Sequence, residues 1–360
     1  MSQYINYKQL FLLSILSFSA TILTGCREKA NFTQDENSEL QIVNKQELWA
    51  DRRISLSLLN KIGSDKVEDD QYLFARISDL AVDKNDNLYA LDLNLMRVSK
   101  FNPQGRILSI IKLISGHGPG EFIRPRELAI SLDGNLLISD DSRRKIVVLD
   151  SLGTCIKEFS VKMHVSALGV DRNDYIYLVG FLFSYSGSII QEYDAHFSYV
   201  TSFCKRYPYE KDYNLTGFTG KVFINKQNKI YYSFEYPYEI RAFMADGTMM
   251  QRFGRDLSCY KPPIKDKKNN VVYAKASAVA VCELPGDLLL NLYRCDINGK
   301  WHFYFDLFDQ NQNFLKTVCL DDFGIDFVRN FCVDSSANFY MDSIEPYPHI
   351  SKYKLEIKRP

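Results

Sequence analysis

Residues 128–140 read LAISLDGNLLISD, an apolar run, a turn of Asp, Gly and Asn, and a second apolar run that ends on a carboxylate. Asn, Asp and Gly tolerate the left-handed backbone that tight turns need, so the segment is a β-hairpin. The same phrase returns as LAVDKNDNLYALD (80–92), LGVDRNDYIYLVG (168–180), VFINKQNKIYYSF (222–234), VAVCELPGDLLLN (279–291) and FCVDSSANFYMDS (331–343). Aligned on the turn, Asp83, Leu132, Asp171, Asn225, Glu283 and Asp334 stand 49, 39, 54, 58 and 51 residues apart. A four-stranded propeller blade takes about 40 to 50 residues. A second hairpin follows each of the first five copies, as in KIVVLDSLGTCIKEFSV (145–161). After HISKYKLEIK (349–358) no room is left for a fourth strand, whereas RRISLSLLNKI (52–62) has no partner of its own. The expectation is an all-β fold: a six-bladed β-propeller of four-stranded antiparallel blades over 47–360, its ring closed by the N-terminal segment near Ile54–Leu59. Closure of this kind removes free sheet edges.

Around the second copy, GHGPGEFIRPRELAISLDGNLLISDDSRRKIVVLDSLG (116–153) resembles the NHL-repeat and related six-bladed propellers. Gly116 to Phe122 match that family's blade-linking glycine loop, and Pro125 its pre-strand proline. The chain is also similar to bacterial lipoproteins that carry six-bladed propellers. This resemblance implies architecture; no single activity goes with it.

The N-terminus has the order of a secretory signal, one lysine and then the apolar run Leu10–Leu23. Its 14 residues are short of the roughly 20 a membrane-spanning helix needs. Leu23-Thr24-Gly25-Cys26 follows and resembles the bacterial lipobox, which implies cleavage before Cys26 and a lipid on its thiol, with the membrane as a partner. We read 1–25 as a signal peptide and the polar stretch 26–46 as a flexible tether with a reach of about 25 Å. Arg27 follows the cysteine, which favours the outer membrane over the inner one as the place in the cell envelope.

Forty-four basic and 44 acidic residues cancel and are spread along the chain, so no basic patch points to nucleic acid. No G-x-S-x-G elbow, P-loop or dinucleotide fingerprint occurs in a fitting context, and no cofactor is expected. Beyond Cys26, seven cysteines lie at least 13 residues apart, which excludes a C-x2-C metal or redox spacing. They read as small buried hydrophobes. An envelope location permits disulfides, whose connectivity the sequence leaves open.

Propellers use the end of the channel where the innermost strands begin. Alignment there gives one ring of Ser78, Glu127, Ser166, Gly220, Ala278 and Arg329 and a second of Asp79, Leu128, Ala167, Lys221, Val279 and Asn330. Asp79, Glu127, Lys221, Asn330 and Arg329 are therefore the candidate ligand-binding residues, polar and of both signs. Asp79, Glu127 and Asn330 could supply oxygens to a calcium ion, but Lys221 and Arg329 oppose it. Asp92, Asp140 and Asp342 close their strands, where a short carboxylate accepts backbone N–H groups of the following turn. The five histidines have no paired metal spacing, and His117 in the glycine loop is the one to watch. Aromatic groups at Phe181, Phe183 and Tyr185, at Tyr207 and Tyr209, and at Tyr236 and Tyr238 either present rings to a glycan or protein or pack between blades. Two functions remain: a tethered, non-catalytic module for an envelope protein or glycan, or a metal-dependent hydrolase or lyase, lactonase-like, at the channel mouth.

Overall fold

A computed structural model describes residues 41–42, 46–181, 187–206, 220–234, 236–266 and 271–358. The signal, Cys26 and most of the tether lie outside them, as do Phe183, Tyr185, Tyr207 and Tyr209 and the side chain of Phe181. Six antiparallel sheets follow one another in chain order. Their innermost strands are Ile77–Val82, Pro125–Ile130, His164–Val170, Lys221–Ile224, Ala276–Leu284 and Phe331–Val333. Blades 1, 2, 3 and 5 are built of four consecutive strands each, and a short hairpin, Ile264–Asp266 with Val271–Tyr273, stands between blades 4 and 5.

The sixth blade contributes three strands of its own. Its outermost position is filled by Arg53–Ile62, which pairs antiparallel with His349–Lys358 from Arg53↔Lys358 to Ile62↔Ile350. The N-terminal segment thus closes the ring as expected. Gln41–Ile42 pairs in parallel with Phe253–Gly254 on the outer edge of blade 4, and Glu47 accepts the Thr317 N–H at 3.0 Å on the outer strand of blade 5.

What holds the blades together is visible in one strand. Leu136–Asp140 is buried along its whole length because alternate residues face different neighbours. Leu136 and Ile138 pack with Tyr89, Leu91 and Val98 of blade 1, and Leu137 packs with Ile176 and Leu178 of blade 3. Each fully buried Leu, Ile or Val contributes about 1.5–3 kcal/mol. A strand with two buried faces must be apolar throughout, which is why the repeat reads as unbroken apolar runs.

The turns after the inner strands share one device. Asp83 Oδ1 accepts the N–H groups of Asn85 and Asn87 (2.9 and 3.0 Å), and Asp171, Asn225 and Asp334 do the same at offsets of two and four. In blade 2 this position belongs to Ser131, whose hydroxyl accepts Asn135 N–H at 3.1 Å. The alignment on Leu132 is therefore one residue late, since a serine can replace Asp as the local acceptor and hides the register.

Candidate functional site

Each inner strand starts at the same end of the channel, and the chain there is irregular. Pairing slips between Ile77 and Asp79, Pro125 and Leu128, Val165 and Ala167, and Ala278 and Ala280. Such bulges re-aim side chains and recur at functional rims. They also alter the ring. Leu80 pairs with Ala90 and Leu128 with Ile138, while Glu127 N–H reaches the Ser139 hydroxyl at 3.0 Å, so Glu127, not Leu128, is the equivalent of Asp79. The residues expected in two rings form one: Asp79, Glu127, Ala167, Lys221, Val279 and Asn330, with Arg329 one residue earlier in the chain. All seven line one cavity of about 230 Å³ in the channel.

The polar members of this ring latch neighbouring blades. Asp79 accepts Leu80 N–H at 2.8 Å and, across the blade boundary, Leu128 N–H at 2.7 Å. Lys221 Nζ donates to the Ser166 carbonyl at 3.3 Å. Asn330 Nδ2 donates to the Ile77 carbonyl (3.4 Å) and to Asp342 (3.1 Å). Arg329 is exposed, its guanidinium carbon 5.4 Å from the Phe327 ring centroid.

Asp79 exposes part of its surface only to the channel and is otherwise enclosed by protein. Burial pushes its carboxyl up to about 6, against the pull of Lys221 and the two N–H donors. Glu127 is 6% exposed; burial raises it to about 8, Lys221 opposes the rise and the Asp79 carboxylate adds to it. Arg126 Nε is 3.4 Å from Glu127 but its side chain is 44% exposed, and a solvent-screened pair contributes about 0–1 kcal/mol. Burial thus favours the protonated form of both carboxyls while Lys221 favours the charged form, so the mouth can both donate and accept hydrogen bonds.

The strand-end aspartates are structural. Asp92 accepts N–H groups of Ala75, Arg76, Asn94 and Leu95, and Asp140 those of Ile123, Arg124, Ser142 and Arg143. Each fastens the loop entering its blade. His117 is exposed, and its carbonyl accepts from Arg143. Tyr238, one of the candidate ring residues, is 2% exposed between blades and donates to Asp306 at 2.6 Å. Among the described residues no three His, Cys, Asp or Glu side chains converge as metal ligands would.

Three features escaped sequence reasoning. Asp306, fully buried, accepts from Tyr238, Arg255 (2.7 Å) and Thr317 (2.6 Å) and ties blade 4 to blade 5. Cys259 and Cys295, 36 residues apart, are joined by a disulfide at the same seam. His164 Nδ1 lies 2.8 Å from buried Asp141 beside the mouth. No spacing signal announces partners this far apart in the chain.

Solved structures agree with this architecture. A Bacteroides fragilis protein inferred to be exported superposes with a TM-score of 0.60 at 11% identity, covering 88% of this chain and 99% of its own. A member of the DUF4221 family from Bacteroides vulgatus gives 0.62 at 11% identity over 86% and 100%. A gluconolactonase of Xanthomonas campestris gives 0.51 at 13% identity over 88% and 98%. Identities this low carry the fold alone. No curated protein matches the chain in sequence. A family model described as a 6-bladed beta-propeller matches residues 37–324. With six sheets in a ring and that match over most of its length, the chain belongs to the DUF5128 family of six-bladed β-propellers.

Proposed function

We propose that this propeller is a lipid-tethered envelope module that binds a small polar ligand, or the polar end of a glycan or protein, at the channel mouth without turning it over. The observation that carries the reading is the single ring in which Asp79 and Glu127 adjoin and Lys221 supplies the largest opposing charge to both. A site that keeps costly buried carboxyls beside cations suits hydroxyl-rich or zwitterionic groups. The lactonase-like alternative needs oxygen ligands converging on an ion. Here Asp79 spends one oxygen on the Leu80 N–H and the other on the Leu128 N–H of the neighbouring blade, and Lys221 and Arg329 bring positive charge to the same cavity.

Thermal-shift and calorimetric titration of the purified full chain with neutral sugars, sugar acids and amino acids tests the reading. At least one class should bind, and Lys221→Met should weaken it at least tenfold. Equal binding by the variant, or conversion of a lactone by the wild type, would refute it. The tether has its own test: Cys26→Ser should abolish membrane partitioning and acylation of the N-terminal peptide, and unchanged partitioning would remove the anchor. Export and an outer-membrane location rest on the lipobox-like Leu23–Cys26 and Arg27.

A further inference from the structure

A second cavity, of about 200 Å³, opens where blade 6 meets blade 1, beside the mouth. Arg76, from the loop that enters blade 1, and Arg329, from the loop that enters blade 6, both line it, with Asn94 and Ser343. Arg329 also lines the channel cavity, so its side chain is a wall shared by the two. Both arginines are exposed, and among the described residues neither forms an ion pair.

The carboxylate in the crevice, Asp342, is already committed. Its Oδ1 accepts the N–H groups of Arg329 (3.2 Å) and Asn330 (2.7 Å), and its Oδ2 accepts Asn330 Nδ2 (3.1 Å). It offsets part of the Arg329 charge, and among the residues lining the crevice it is the one carboxylate beside two arginines. Phe327 under Arg329 restrains one guanidinium, and Asp92, which holds the Arg76 N–H, fixes the backbone of the other. Two arginines lining one pocket offer guanidinium forks that match the paired oxygens of a carboxylate or phosphate, where a single lysine would offer only a point charge.

We infer that this crevice is an oxyanion subsite, in which Arg76 and Arg329 clasp a carboxylate or phosphate group of the ligand whose uncharged part lies in the channel mouth. The inference deepens the mouth reading and rests on it for the second half of the ligand. It assigns the ligand to the anionic, hydroxyl-rich class.

Calorimetry on the full chain with glucuronate, glucose 6-phosphate and glucose, at low and high salt, tests it. The two anions should bind at least tenfold tighter than glucose, lose that advantage in high salt, and fall about tenfold in Arg76→Gln while glucose is unaffected. Their ratio tells a carboxylate from a phosphate preference. The subsite is overturned if glucose binds as tightly as the anions, if neither anion binds the wild type, or if Arg76→Gln keeps full anion affinity. Lys221→Met separates the two ideas. If it weakens all three probes while Arg76→Gln weakens none, the mouth stands and the subsite fails; the opposite pattern sinks the mouth reading and keeps the subsite.

Discussion

Replacing Glu127 with glutamine should make the protein more stable, and increasingly so as pH rises. An unfolded glutamate titrates near 4.5, whereas the folded Glu127 carboxyl does so at about 8, chiefly because it is buried. Below pH 4.5 the group is protonated in both states and costs nothing. Between 4.5 and 8 the unfolded chain sheds the proton that the folded chain keeps, so stability falls with rising pH and the loss is complete above 8. At about 1.36 kcal/mol per unit the penalty is about 3 kcal/mol at pH 7 and about 5 kcal/mol by pH 9. Glutamine keeps the shape and cannot ionise; it forfeits the Arg126 contact, worth about 0–1 kcal/mol. Urea unfolding between pH 5 and 9 should show Glu127→Gln superior by about 2–3 kcal/mol at pH 7, a shift of several degrees in Tm. The same variant should bind ligand more weakly at the mouth. Parallel stability curves for the two proteins across this pH range would refute the assignment of a buried, proton-retaining carboxyl.

Three further outcomes follow from the packing. Asp306→Ala leaves the half-buried Arg255 without its carboxylate and should cost about 3–5 kcal/mol by chemical denaturation; a loss under 1 kcal/mol would show that the cluster is idle. Deleting residues 53–62 removes buried Leu56 and Ile62, about 3–6 kcal/mol, and bares the edge of His349–Lys358, so light scattering should report aggregation. A soluble monomer with unchanged Tm would contradict the closure. Cys259→Ser or Cys295→Ser opens a loop 36 residues long and should lower stability by about 3–4 kcal/mol, with no further loss on adding reductant; continued sensitivity to reductant would point to a different pairing.

The ring architecture was legible because its cause is local and repeated. Each hairpin needs an acceptor or glycine at its turn and apolar residues on both faces, and LAISLDGNLLISD carries all of that in thirteen residues. Closure by residues 53–62 was legible from counting strands. The register at the mouth was not, because a bulge inserts a residue without changing composition, so Glu127 and Leu128 are equally good candidates to stand opposite Asp79 until the pairing is seen. Ser131 stayed hidden behind Leu132 for a related reason, its hydroxyl doing what a carboxylate does elsewhere. The Asp306 cluster and the Arg76–Arg329 crevice were invisible for another cause. Their cross-blade members lie 51 to 253 residues apart and meet only where one blade touches the next or the ring closes.

The two ends of the channel spend similar residues in opposite ways. At the turn end, burial pushes the Asp83 carboxyl up, but donors from Asn87 and Asn85 and the Lys100 ammonium outweigh it and hold the group below the usual carboxylate range. Asp334 is held low against its burial by Asn338 and Lys352. These acids add stability at neutral pH. At the mouth, among the described residues, Asp79 has two backbone donors and no side-chain oxygen of Glu127 has one, and both carboxyls are raised by burial. A turn-end arrangement at the mouth would have been available to the same fold, as the other end demonstrates, and would have been more stable. Retaining undersatisfied carboxyls beside Lys221 makes sense where a ligand supplies the missing partners, so a place where burial works against the charged form is also where binding should be sought.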